Sequence, residues 1–210
     1  MNDASAAALG EMLFGRAKGM TDFIAITLGT GLGGGVVANG QLIDGFDGFA
    51  GELGHVDIMN GDGRFTGLKV KGGLEAYASA TGLKRTVMHM LAKHTDESEL
   101  RSIAFNDLHG STITELAEKG DPIAIKSFKY TGKLLGKALA NFVAFSQPQA
   151  IFLMGGLVKS GHWILKPTKK HLEKNLLQVY KGKVQLLESG LSDKNPAVMG
   201  GAALIWNDQK

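Results

Sequence analysis

The sequence predicts an α/β fold built on a mixed sheet. Three observations carry this. Two short β-rich runs near the start are joined by Asn39-Gly40, a hairpin signal. A purely apolar run, Ala150 to Met154, lies between two helical segments and reads as a buried strand. A long helical pattern enters at Asp121-Pro122, an N-cap followed by proline at the first helical position. The resulting order of hairpin, helices, strand, helix, strand, helix is that of an α/β domain.

Each element has its own warrant. Asp3 is a good N-cap, and the alanine-rich run behind it, with Leu9, Met12 and Leu13, favours a helix ended by Gly15 and Gly19. Phe23 to Leu28 is short and β-rich, so it predicts a strand. Val36-Val37-Ala38 and Gln41-Leu42-Ile43 predict the second and third strands. Residues 44 to 73 lack periodicity, and a connection that long in a compact domain is usually functional. Leu74 to about Leu91 has helical spacing, and Ser111 to Glu115 opens a short helix with a capping-type start. In the long helix, Ala124, Phe128, Thr131, Leu135, Ala138 and Phe142 form a buried stripe, and Gln147-Pro148 stops it. A helix over 164–177, a strand over 184–187 and a last helix, Ala197 to Trp206, complete the reading.

Composition excludes several classes. The 210 residues contain no cysteine, which rules out disulfides, cysteine-ligated zinc and thiol catalysis. Two charge-free windows, 23–43 and 138–158, approach membrane-span length but are broken by glycine, polar residues and Pro148. No secretory signal opens the chain, so neither a membrane nor export is expected, and the cytoplasm is the expected location. Residues 159–183 hold seven lysines against Glu173 alone, which reads as a solvated helix face rather than a nucleic-acid patch. Glycine is the outlier: 30 residues, about twice the usual share of ~7%.

The glycines cluster in motifs. Gly29-Thr30-Gly31-Leu32-Gly33-Gly34 fits G-x-G-x-x-G, but a strand and not a helix follows, which excludes a Rossmann loop. A strand–glycine–strand hairpin instead offers backbone N–H groups to phosphate, with the Thr30 hydroxyl as a further donor. No P-loop signature is present. Gly51-Glu52-Leu53-Gly54-His55 places a carboxylate and an imidazole on one loop, a pairing suited to hydroxyl-rich ligands. Glu75 sits where it would complement a helix dipole. Met154-Gly155-Gly156 fits either a nucleotide-facing turn or tight helix–strand packing. The remaining histidines lack metal-ligand spacing.

Together these segments resemble the ROK family of sugar kinases and sugar-responsive repressors. Asn2 to Glu11 is similar to the family's N-D-A-N-A-A-A-x-G-E helix start. Leu28 to Val36 is similar to its second phosphate motif, Glu52 to His55 to its E-x-G-H sugar motif, Leu74 to Ser79 to its sugar-glutamate segment, and Met154 to Gly156 to its adenosine turn. The resemblance implies an actin-like ATPase, RNase H-like lobe with helices flanking a mixed sheet. It implies ATP with Mg²⁺, a hexose substrate with glucose foremost, and transfer of the γ-phosphate to the 6-hydroxyl. Asp3 would be the general base; Asn2, Glu52, His55 and Glu75 would hold the sugar. Gly29, Thr30 and Gly31 would face the phosphates, and Gly155 and Gly156 the adenosine. Alternatives are a repressor-type sugar sensor, which needs a helix-turn-helix that these residues lack, and a non-catalytic oligomerisation module.

Two departures from the family stand out. The positions aligned with its zinc-binding cysteines are Thr66, Leu68 and Gly73, so no structural zinc is expected. The chain also opens at the base motif, with no D-x-G-G-T. It is therefore expected to be the larger C-terminal lobe alone (1–210), with weakened activity and an apolar face favouring a homo-oligomer.

Overall fold

The structure is a computed structural model and describes residues 3–191. Five strands, β1 (Phe23–Leu28), β2 (Leu32–Ala38), β3 (Gln41–Leu42), β4 (Ala150–Met154) and β5 (Gln185–Glu188), form one sheet in the order β3-β2-β1-β4-β5. The β1–β2 and β2–β3 pairs are antiparallel, and β1–β4 and β4–β5 are parallel. The sheet is mixed, as the residue pattern predicts. Among the described residues, five α-helices flank it: α1 (Asp3–Phe14), α2 (Ala80–Lys93), α3 (Gly110–Glu118), α4 (Pro122–Ser146) and α5 (His162–Asn175).

Strand periodicity divides the core. Ile24, Ile26 and Leu28 of β1 join Ile151 and Leu153 of β4 in a core shared with α2 to α5. Phe23 and Ala25 point the other way, with Ala150, Phe152 and Met154, onto Ala7 and Ala8 of α1. Residues two apart share a face because strand side chains alternate. Between the two faces, β1 and β4 are buried almost throughout, which explains their unbroken apolar runs.

Turn chemistry fixes the boundaries. Asn39 (φ 51°) and Gly40 (φ 74°) are both left-handed, which a two-residue type I′ hairpin requires. Asp121 caps α4 by accepting from Ile123 and Ala124 N–H, both at 2.9 Å. Gln147 closes α4 in the left-handed conformation.

Several elements differ from the sequence reading. The second strand begins at Leu32, so Gly33, Gly34 and Gly35 are not hairpin loop; they pair with Thr27, Ile26 and Ala25. Their purpose is close packing on both sides of the strand. A Cβ on Gly33 or Gly35 would lie 2.7 or 2.6 Å from the Cβ of Ala4 or Ala8, and one on Gly34 would lie 2.7 Å from Gly51 O. Helix α2 does not start at Leu74. Leu74–Ala76 is an isolated 3-10 turn, and Ser79 caps the true helix by accepting from Gly82 N–H. Glu75 therefore belongs to no helix dipole. Helix α3 starts one residue before Ser111 and uses no side-chain cap. Asp3 lies within helix α1 rather than flanking it as the cap. Asn2 and the last helix, Ala197 to Trp206, lie outside the described residues.

Candidate active site

Four motifs converge on the start of β2. From one side comes α1, whose Ala4 rests on Gly33 and whose exposed Asp3 opens the helix. From the other comes the 52–55 segment. A Cβ on Gly54 would lie 2.3 Å from Leu32 O, so only glycine lets this turn sit on the strand. The third partner is Glu75, half-buried, whose Oε2 accepts the Leu32 N–H at 3.0 Å. The fourth is the hairpin itself. Gly29 N–H bonds Gly31 O at 3.0 Å and Gly33 N–H bonds Thr27 Oγ1 at 3.1 Å. Among the described residues, the N–H groups of Thr30 and Gly31 have no partner. The amides available to an anion are thus those of the two tip residues, not of the whole glycine run.

Beside the hairpin lies a cavity of about 200 Å³, whose walls include Thr30, Gly31, Glu75, Ser79, Thr81 and Arg85. Helix α2 is tied to this hairpin: Ala80 N–H donates to Gly29 O at 2.8 Å.

The loop between His55 and Glu75 is organised around Thr66. Its Oγ1 lies 3.1 Å from His55 Nδ1 and accepts the Val70 N–H at 3.2 Å. Its methyl packs where a Cβ on Gly73 would come within 2.4 Å. The next residue, Gly67, donates its N–H to Glu75 Oε1 at 3.1 Å. One tight turn therefore orients both His55 and Glu75. His55 Nε2 is 3.8 Å from Glu52 Oε2. The positions aligned with zinc-binding cysteines still meet at His55, but as a hydroxyl and a glycine; Leu68 is 73% exposed. Among the described residues no three His, Cys, Asp or Glu side chains are grouped to hold a metal. These residues do not fit a structural zinc ion. The hydrogen bonds of the Thr66 turn carry no signal in the sequence.

Arg64 completes the loop. Its guanidinium sits 4.8 Å over the Tyr77 ring and donates to Thr86 Oγ1 at 2.9 Å, and its N–H donates to the Tyr77 hydroxyl at 2.9 Å. Arg64 and Tyr77 have no sequence signal of their own, because the pairing is tertiary.

The Gly155-Gly156 turn stands at the end of β4, beside the hairpin. Gly155 (φ 98°) lies so close to Leu28 that a Cβ would come 2.6 Å from the Leu28 carbonyl oxygen. A cavity of about 260 Å³ opens here, lined by Met154, Gly155, Gly156, Lys159 and Glu188 among others. The turn packs tightly on Leu28 and also faces this cavity. The hairpin tip and the turn share the carboxyl edge of β1 and β4, where open α/β sheets bind ligands.

The arrangement has known counterparts. The sequence profile described as ROK family matches residues 1–209. The chain belongs to the ROK family. A glucokinase of Halalkalibacterium halodurans is 39% identical over 176 residues, covering 82% of this chain and 52% of the relative. A xylose repressor of Bacillus spizizenii is 29% identical, covering 97% of this chain and 49% of the relative. A crystal structure of a ROK family glucokinase from Streptomyces griseus, in complex with glucose and AMPPNP, superposes with a TM-score of 0.84 at 32% identity, covering 96% of this chain and 66% of that one. The chain spans about half the length of the curated relatives it matches. Its mixed five-stranded sheet with flanking helices is the actin-like ATPase arrangement of ROK sugar kinases. Among the described residues no helix is long and apolar enough to cross a membrane.

Proposed function

We propose that this chain provides the larger, C-terminal lobe of an ATP-dependent hexose kinase, which transfers the γ-phosphate to the 6-hydroxyl of glucose or a similar hexose. The observation that supports this best is the convergence of Asp3, the hairpin tip, Glu52–His55 and Glu75 on one strand end, with the Gly155-Gly156 cavity alongside. The solved relative with glucose and AMPPNP supports the same ligand classes.

In this reading Asp3 is the general base. Its carboxylate is exposed, is fixed by α1, and takes the hydroxyl proton as the oxygen attacks phosphorus. Phosphoryl transfer needs mainly positioning and charge neutralisation, and Mg²⁺ arrives bound to the nucleotide. The Thr30 and Gly31 amides, with the Thr30 hydroxyl, receive phosphate oxygens. Gly29 shapes their turn, and Gly155 and Gly156 admit the adenosine because no side chain blocks it.

Glu52, His55 and Glu75, with Asn2, hold sugar hydroxyls. Each carboxylate oxygen has two acceptor positions, so Glu75 can bind the loop amides and a hydroxyl together. In this reading the Thr66 hydroxyl, which accepts from Val70 N–H, turns its own proton toward His55 Nδ1, 3.1 Å away. That leaves the ring proton on Nε2, toward Glu52 and the sugar.

Similarity to the xylose repressor supports a second reading, a sugar sensor. Calorimetry separates the two. Binding of both AMPPNP–Mg²⁺ and glucose supports the kinase lobe; binding of sugar alone supports the sensor. In a coupled assay, Asp3→Asn should lower kcat by about 10²–10⁴-fold with little change in sugar affinity. An unchanged kcat would remove Asp3 from the base role.

A further inference from the structure

The face formed by α4 and α5 has an extreme charge pattern. Helix α4 carries Lys126, Lys129, Lys133 and Lys137 and no acidic residue. Helix α5 carries Lys166, Lys169, Lys170 and Lys174 against Glu173 alone. Lys126 pairs with Asp96 at 2.6 Å; among the described residues, the other seven have no carboxylate within reach. Lys129, Lys133 and Lys137 are exposed at i, i+4 and i+8, and so are Lys166, Lys170 and Lys174. Like charges at that spacing destabilise a helix, so the pattern is unfavourable without a counter-ion.

The helices bring these rows together. A Cβ on Gly132 would lie 2.7 Å from Pro167 Cγ, and one on Gly136 2.4 Å from Thr168 O. Glycine on α4 lets α5 approach closely, and the lysine rows flank the seam. A groove of about 490 Å³ lies there, lined by Lys129, Lys166, Lys170, His162, Trp163 and His171 with Pro167. That volume is within the usual range for a small-molecule site, roughly 300–1,000 Å³. The groove is aromatic as well as cationic. The His162 and Trp163 rings are 4.5 Å apart, and the indole Nε1 is buried with no hydrogen-bond partner among the described residues. Burial, then the charges of Lys133, Lys170, Lys174 and Lys137, hold the His171 imidazole below its ordinary pKa, which marks a positive potential at the seam.

We propose that this groove is a second anion site, distinct from the hairpin and the Gly155-Gly156 turn, that takes a nucleoside polyphosphate. Phosphates lie among Lys129, Lys166 and Lys170, and the base stacks on Trp163 and His162. Charge complementarity selects the phosphate chain; the aromatic pair selects a ligand with a planar ring over a bare polyanion. The site does not depend on the kinase reading.

Trp163 is its own reporter once the other tryptophan is removed by Trp206→Phe. In that background at about 150 mM salt, where the Debye length is ~8 Å, ATP should quench Trp163 saturably. Tripolyphosphate should bind at least threefold more weakly than ATP. The triple variant K129E/K166E/K170E should weaken the response at least tenfold. The milder K129Q/K166Q/K170Q should weaken it in the same direction, which guards against misfolding of the reversal. Retained quenching in a folded triple variant would mean that the signal comes from the Gly155-Gly156 turn and would overturn the site. Loss of all binding at 150 mM salt would overturn it too. Equal affinity for tripolyphosphate and ATP would overturn the choice of a nucleoside ligand.

Discussion

Glu75 Oε2 accepts the Leu32 N–H at 3.0 Å, which joins the 3-10 turn Leu74–Ala76 to the first residue of the hairpin's returning strand. The other oxygen accepts from Gly67 at 3.1 Å. A single carboxylate therefore sets the hairpin tip and the Thr66 turn together. Substitution by glutamine puts an NH₂ against one of two amide donors. Hydrogen bonds to charged groups contribute about 1.5–3 kcal/mol, and partial exposure lowers that. Glu75→Gln should cost roughly 1–2 kcal/mol in chemical denaturation. Amide exchange should accelerate at Leu32 and Gly67 and stay unchanged in β4. Unchanged exchange at both amides would show that the carboxylate does not hold the tip.

Gly35 tests the packing account of the glycine run. A Cβ there would lie 2.6 Å from Ala8 Cβ and 2.9 Å from Ala4 O. Overpacking of this kind costs about 1–3 kcal/mol. Gly35→Ala should destabilise by that amount. Ala8→Gly alone should cost ~1 kcal/mol of helix propensity. Combined, the two should be less destabilising than their sum, because Ala8→Gly removes one of the two clashes. Strict additivity in a double-mutant cycle would place the constraint elsewhere.

Much of this fold was legible because its key boundaries are local. Phe23–Leu28 and Ala150–Met154 are short apolar runs between breakers, and the structure has them as strands over those residues. Asp121-Pro122 and Asn39-Gly40 carry their geometry in two residues each. Gly33 to Gly35 failed as a reading because glycine has no strand propensity; its reason is the approach of Ala4, Ala8 and Gly51, which come from distant segments. The break at Tyr77–Ser79 was hidden for a similar reason. Tyr77 serves Arg64 and the loop, and Ser79 takes the cap. At the site, the residue types were legible from motifs. The Thr66 turn was not, since a hydroxyl beside a histidine leaves no spacing rule.

The Asp96–Lys126 pair predicts a pH effect of known sign. The Lys126 ammonium hydrogen-bonds the Asp96 carboxylate and holds its pKa below the ordinary value, opposed by burial. A depressed carboxylate pKa stabilises the fold above the unfolded value, about 3.9. That contribution is lost as pH falls through the folded value. Lys126→Met should move the Asp96 pKa upward in a carbon-detected NMR titration. It should also flatten the stability profile below about pH 4. An Asp96 pKa unmoved by the substitution would assign the shift to another group.

Glu11 is a buried carboxylate that accepts from three donors. Its side chain is fully buried, with 0% exposure. Oε1 accepts from Arg16 N–H at 2.7 Å and Gly190 N–H at 3.0 Å, and Oε2 accepts from the Ser189 hydroxyl at 2.5 Å. It thereby ties the end of α1 to the chain leaving β5, across 178 residues. Glu11→Ala would leave these donors without their acceptor in a dry interior, where each unsatisfied group costs about 1–3 kcal/mol. A loss of roughly 2–4 kcal/mol in urea unfolding is expected. Glu11→Gln should cost less, about 1 kcal/mol. Its carbonyl keeps the two amide donors, and its NH₂ can donate to Ser189 Oγ, since a hydroxyl also accepts. Ser189→Ala in the glutamine background should then cost little more than in the wild type. If Glu11→Gln is as damaging as Glu11→Ala, the negative charge itself, rather than the acceptor geometry, is what α1 requires at this junction.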